Sequence, residues 1–313
     1  MNLLWPKTKA AVKGIFPDPI PFKPLLPSGD SSPYFGNYEG QKYGTWDTDL
    51  CWDFSFTEVI ETRLKMLDEM GLIPADTLAW AIANGYKDSD GDWYLSRRLE
   101  GILSGVQDNG NSQINAVYLA AQVGMIPNSM LPYNQAEAYT DATRTQFVAD
   151  YFNPSVITPA MKAMGLEFLK RFKIQGENVD VNITNIMTYL TEGSMTIGVP
   201  AIAPGWNQVH VAPTTRQAAD HAVELYAFVP TDPNPYKIYD SYNPNLKDLP
   251  KDYPIMILTR ISIQPLAIAS PVPLPQFSPW MRFWFNVWSY LKGQPLPFPS
   301  VPIGGMNTAP QAS

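Results

Sequence analysis

An α+β fold is predicted for this chain, because helical and strand periodicities occupy different halves of its 313 residues. From Cys51 onward, Phe54, Val59, Ile60, Leu64 and Leu67 fall near one helical face. Near residue 260 the pattern is different: Ile255, Ile257, Thr259, Ile261 and Ile263 alternate with Met256, Leu258, Arg260 and Ser262, as the two faces of a strand do. With 45% hydrophobic and only 16% charged residues, both halves have enough apolar side chains for a packed core.

Taken in order, residues 1–35 are rich in Pro and Gly and read as an extended arm lying over a surface, with 1–24 its most Pro-rich part. The first helix begins at Cys51, with Asp47, Thr48 or Asp49 available to cap it, and ends at Gly71 and Pro74. A second lies within "ADTLAWAIANG", with Asp76 as cap and Gly85 as stop. A third starts near Ser112, where Ile114, Val117 and Ala121 recur at helical spacing. In "VNITNIMTYLTEG", Ile183, Ile186, Met187 and Leu190 mark one more. Strand-like runs follow: "MTIGVPA", "HAVELYAFV", "YKIYDSY" and "YPIMILTRISIQ". The predicted division is an arm at 1–24, a helical lobe at 25–160, an antiparallel β lobe at 161–265 with a cleft between the lobes, and a Pro-rich tail at 266–313.

The tail contains "SPWMRFWFNVWSYLKG", a short helix bracketed by Ser278, Pro279 and Gly293. Trp280, Trp284, Val287, Trp288 and Leu291 form a wide apolar face suited to docking on this chain or on a protein partner. Its reach of ~21 Å is too short to span a bilayer, and Arg282 and Lys292 are too few cations for a lipid anchor. Elsewhere there is no apolar run of ~20 residues for a membrane span and no secretory signal region.

Charge and composition exclude several classes. A net charge of −7 argues against a nucleic-acid partner, which is bound through clustered Lys and Arg. One cysteine allows no internal disulfide. Asp88, Asp90 and Asp92 alternate as in a calcium loop, but Trp93 stands where such a loop needs Gly and no Glu closes it, so a solvated turn is expected. His210 has no partner at metal-ligand spacing, and no metal or cofactor is expected.

One constellation can carry chemistry. A thiol becomes a nucleophile when a helix N-terminus and an imidazolium stabilise its thiolate. Cys51 occupies the first turn of its helix, and His221 opens a strand. Nineteen residues on, Asp240 ends the next strand, where antiparallel pairing can bring its carboxylate to the imidazole. Singly, each has an ordinary reading: a cysteine is a small hydrophobe, a strand histidine is structural, and an aspartate before serine forms a turn.

Together they resemble the papain-like cysteine peptidases. "CWDFS" at Cys51–Ser55 is similar to that family's Cys-Trp-Ala-Phe-Ser, "DHAV" at Asp220–Val223 to its histidine motif, and "YDSYNP" at Tyr239–Pro244 to its Asn-Ser-Trp-Gly segment. "YLSRRLEG" and "NGNSQINAVYLAAQVGMIPNSMLPY" resemble stretches between them, so the likeness runs from about residue 25 to 265. It implies Cys51 as nucleophile, His221 as general base and then acid, and Asp240 as orienter in place of Asn. Gly110 and Asn111 would contact an extended peptide substrate, with Trp52 and Tyr242 also at the substrate site and Tyr242 standing in for a shielding Trp. The oxyanion would be held by the Cys51 N–H and a glutamine; six residues before Cys51 stands Thr45, so Gln41 is the nearest candidate. Asp49 and Asp53 place negative charge beside the thiol, against thiolate formation. The lack of disulfides and the Pro-rich arm resemble bacterial and phage-encoded members. The expected activity is hydrolysis of a peptide or protein substrate through an acyl-enzyme. Alternatives are a cell-wall peptide or amide hydrolase with the same residues, or a structural subunit of a larger assembly, such as a phage particle, docking through its tail helix.

Overall fold

A computed structural model of the chain describes residues 20–36, 40–43, 46–105, 110–133, 143–202 and 205–267. The chain divides into two units, Met1–Ala267 and Ile268–Ser313. The second unit lies outside the described residues, and with it the expected docking helix at Trp280–Leu291.

Helix α1 (Cys51–Glu69) is the axis of the first unit and is buried along nearly its whole length. Apolar residues all round explain part of this: Trp52, Phe54, Phe56, Val59, Ile60 and Leu64 are all without exposed surface. The helix also carries buried charge, which needs partners. Glu61 accepts from the Leu95 N–H at 2.7 Å and pairs with Arg97 at 2.6 Å, while Arg63 donates to the carbonyls of Glu192 and Ser194. These bonds pin the helix to its surroundings as directionally as the apolar side chains do thermodynamically.

The start of α1 corrects the expected cap. Leu50 is the N-cap and no side chain caps the helix. Asp47 Oδ1 instead accepts from the Asp49 N–H at 3.0 Å, and Asp49 adopts a left-handed φ of 52°. Aspartate tolerates that conformation better than most side chains, and the resulting sharp turn feeds the chain into the helix. Asp76 likewise stands inside helix α2 (Ala75–Ala83), whose N-cap is Pro74. Gly85 ends α2 with φ 76°, as expected of a helix stop.

Helix α4 (Gln113–Val123) starts after Ser112 and packs on α1 through Ile114, Ala116 and Val117. Three further helices lay outside the sequence reading: α3 (Leu99–Ser104), α5 (Arg144–Tyr151) and α6 (Pro159–Leu169). At α6, Thr158 is a side-chain cap, accepting from the Met161 N–H at 3.2 Å. The end of α4 and the middle of α6 touch backbone to backbone: a Cβ on Gly124 would lie 1.8 Å from the Gly165 carbonyl oxygen. Only glycine permits that approach.

Beyond the small pair β1 (Lys42–Tyr43) and β2 (Trp46–Asp47), the described residues form a six-stranded antiparallel sheet in the order β3-β8-β4-β5-β6-β7. Its strands are β3 (Phe172–Val179), β4 (Met195–Val199), β5 (His221–Phe228), β6 (Tyr236–Tyr239), β7 (Leu246–Leu249) and β8 (Ile257–Pro265). β8 begins at Ile257 rather than Ile255, and β3 and β7 are additions to the sequence reading. One face packs on the helices through Phe172, Ile174, Ile261 and Ile263. Val199, Leu225, Ile238 and Leu258 form a second core with Ile186 and Leu190 of helix α7 (Ile183–Leu190). The fold is thus α+β, with helices and an antiparallel sheet.

The described part of the arm is tied to the sheet. Leu25 and Leu26 donate to the Thr191 carbonyl, and the Arg260 guanidinium binds the carbonyls of Ile20 and Pro21 while pairing with Glu192.

Candidate active site

Cys51 occupies the first position of α1 and is 8% exposed. At that position its N–H has no intrahelical acceptor, and the positive end of the helix dipole favours negative charge. His221 opens β5 and is 3% exposed. Asp240 follows the last residue of β6 and is fully buried. The antiparallel register that pairs Glu224 with Tyr239 runs the start of β5 past the residues just beyond β6. As a result His221 Nε2 and Asp240 Oδ1 are 2.7 Å apart. The Cys51 thiol is near enough to the imidazole to contribute to raising its pKa. Strand start and hairpin thus bring ring and carboxylate together.

Burial by itself would lower the His221 pKa, but the Asp240 charge and hydrogen bond outweigh it, with smaller help from Cys51, and raise it to about 10. Asp240 moves the other way. Burial would raise its pKa, yet His221 and Lys247 bring it below the ordinary carboxylate value. The Asp240 N–H donates to the Asn245 carbonyl at 2.8 Å, and Oδ1 also accepts from the Tyr242 N–H at 3.2 Å.

Two aromatic rings flank the imidazole. Tyr242 lies 4.9 Å from it, centroid to centroid, and Trp206 meets it edge-on at 5.5 Å and 87°. Beside them opens a cleft of about 750 Å³ whose lining includes Asp47, Asp49, Trp206, Asp220, His221 and Tyr242.

The other sequence candidates are placed unevenly. Gln41 is buried next to the cleft, but its amide nitrogen already donates to Asp47 Oδ1 and to the Tyr242 hydroxyl, each at 2.8 Å, and its Oε1 accepts from Ser241. Trp52 has no exposed surface and belongs to the helical core, which gives it a packing role. Gly110, at φ 72°, and Asn111 lead into α4, with Asn111 Oδ1 accepting from the Ser112 N–H. Asp49 lines the cleft. Asp53 does not oppose the thiol with a full charge: burial raises its pKa to about 7, against smaller opposing effects of the Gly101 N–H and Arg97. Among the described residues no cluster of metal-ligating side chains occurs, and no helix is long and apolar enough to cross a membrane. Asp88 closes the expected turn by accepting from the N–H groups of Asp90 and Asp92.

Two site residues escaped the sequence reading. Trp206 sits in a loop without periodicity. Lys247 had a signal: in "LKDL" on β7 it shares the inward side of the pleat with Leu249, and a charged residue there demands a partner. It finds one in Asp240.

No family model matches the chain, and no curated protein matches it in sequence. Its fold is similar to that of xylellain, a cysteine protease from Xylella fastidiosa, at 14% identity over 76% of this chain and 85% of that one, with a TM-score of 0.50. Digestive procathepsin L 3 of the Tenebrio molitor larval midgut matches 79% of this chain and 73% of its own, at 14% identity and a TM-score of 0.48. The fold is that of the papain-like cysteine proteases.

Proposed function

We propose that the chain is a papain-like cysteine peptidase. One observation carries this reading: an imidazole 2.7 Å from a buried carboxylate lines a cleft, and the one cysteine of the chain, at a helix N-terminus, contributes to raising that imidazole's pKa. In the proposed reaction the Cys51 thiolate attacks a substrate peptide carbonyl and the Cys51 N–H stabilises the oxyanion. The His221 imidazolium then gives its proton to the leaving amine, so the C–N bond breaks and a thioester remains. A water, deprotonated by His221, attacks the thioester; the tetrahedral intermediate expels the thiolate and frees the carboxylic acid. Asp240 keeps the ring oriented and its charge favoured throughout.

Gln41 enters the oxyanion site only by giving up one of its present acceptors, so the backbone donor takes the leading part. The test is hydrolysis of casein and of mixed peptides by the full chain, with Cys51→Ala as control. Turnover lost in the variant, together with a mass gain on Cys51 when a peptide ester is supplied, is the expected result. Turnover equal in both proteins would overturn the reading.

A further inference from the structure

Lys247 is among the most deeply buried side chains of the described residues, with no exposed surface, although it lies on β7, the edge strand of the sheet. Its ammonium is on the opposite side of Asp240 from His221. Nζ bonds Asp240 Oδ2 and donates to the Tyr242 carbonyl at 2.9 Å, and it lies 5.0 Å from the centroid of the Trp206 ring. Three N–H groups thus meet a carboxylate, a carbonyl and an aromatic face. Taking an ammonium out of water costs several kcal/mol unless a specific partner offsets it. That partner is the carboxylate holding the imidazole.

We propose that Lys247 is a positioning residue of the site: its ammonium balances Asp240, so that the carboxylate orients His221 without adding net negative charge beside Cys51. The proposal rests on the thiol-hydrolase reading above. Thiolate, imidazolium and carboxylate together carry one negative charge; the ammonium cancels it, leaving the neutral sum that an uncharged amide orienter would give. The geometry serves the same end. Oδ1 takes His221 and the Tyr242 N–H, Oδ2 takes Lys247, and both ends of the carboxylate are fixed. Trp206 bridges the two cations, edge to His221 and face to Lys247. The other groups facing this set are Cys51 and Glu58 from α1, Asp47 and Asp49 from the segment before it, and Tyr242 from the hairpin. Glu58 is driven toward its neutral form by burial, and the Tyr242 hydroxyl by burial and by Asp47.

Because the chain has one cysteine, iodoacetate reads the site without any substrate. This anion reacts fastest while thiolate and imidazolium coexist, so its rate traces a bell against pH. Three variants of the full chain decide the matter: Lys247→Met, Asp240→Asn and the double variant. Lys247→Met should slow alkylation at pH 6 by about tenfold or more, because an uncompensated carboxylate then faces the thiol. Asp240→Asn should bring the alkaline limb toward neutrality, because the ring loses its counter-charge while Lys247 stays. The double variant should react at least about threefold faster than either single one. If Lys247→Met does not fold, the double variant, lacking both buried charges, is the deciding sample, and it should fold and react. A wild-type bell that Lys247→Met leaves unchanged overturns the proposal alone, as does a double variant that is unfolded or less than about threefold faster than either single variant. A wild type with no bell overturns this proposal and the thiol-hydrolase reading together.

Discussion

His221 Nε2 lies 2.7 Å from Asp240 Oδ1, although one residue opens β5 and the other stands just past the end of β6. Both side chains are buried, so neither charge is screened by water. An imidazole in such surroundings would ordinarily be neutral. Here the carboxylate reverses that preference and carries the ring's pKa to about 10.

This reversal fixes a pH dependence. The folded pKa of His221 stands above the value of 6.5 for a free imidazole, so the pairing contributes its full stability below about pH 6.5 and loses it as pH rises through about 10. Asp240 is lowered, so its share is present above the ordinary carboxylate range and is lost in acid as its folded pKa is crossed. In Asp240→Asn the alkaline loss should begin closer to neutrality. Thermal unfolding followed from neutral to strongly alkaline pH checks this, and superimposable curves for the two proteins would contradict it.

Asp53 should act with the sign opposite to that of Asp240. Its carboxyl is buried on α1, Oδ2 accepts from the Gly101 N–H at 3.1 Å, and its pKa is raised from 3.8 to about 7. Between those values the folded chain holds a proton that the unfolded chain releases, so stability falls as pH rises through this window. Asp53→Asn has nothing to ionise and keeps an acceptor for Gly101. The decline in unfolding temperature from about pH 4 to pH 7 should become shallower in the variant, with a remainder from Glu224, which burial also raises to about 7. An unaltered slope would count against this account of Asp53.

How much of this was legible in the sequence depended on distance along the chain. α1 and the place of Cys51 in it were readable because the cysteine and the helix start are one local pattern. His221 and Asp240 were readable because each lies at the border of a strand whose alternation is plain. The orientation of Asp53 was not, since its burial depends on α3, a helix of six residues. Lys247 was missed because its partner is reached only once the hairpin from Asp240 to Asn245 has folded back. The bonds of Gln41 to Asp47, Tyr242 and Ser241 are tertiary and leave no trace in spacing.

Arg260 gives a prediction away from the thiol. Its guanidinium holds the carbonyls of Ile20 and Pro21 at 3.2 and 3.0 Å and pairs with Glu192, which also accepts from the Lys23 N–H. Arg260→Met removes the clamp and leaves Glu192 without this buried counter-charge, at a cost of about 3–5 kcal/mol. Limited chymotrypsin digestion should then cut after the exposed Phe22 much faster than in the parent chain, before the sheet unfolds. Equal cleavage rates would show that the arm is held by other contacts.

The reading of Cys51 as an activated nucleophile is tested most directly by its alkylation with iodoacetamide at pH 6, in the native chain and in the same chain unfolded in urea. Burial alone would make the native thiol the slower of the two. Activation by His221 and the helix terminus predicts the reverse, with native Cys51 reacting about tenfold faster or more. A native thiol slower than the unfolded one would contradict the account.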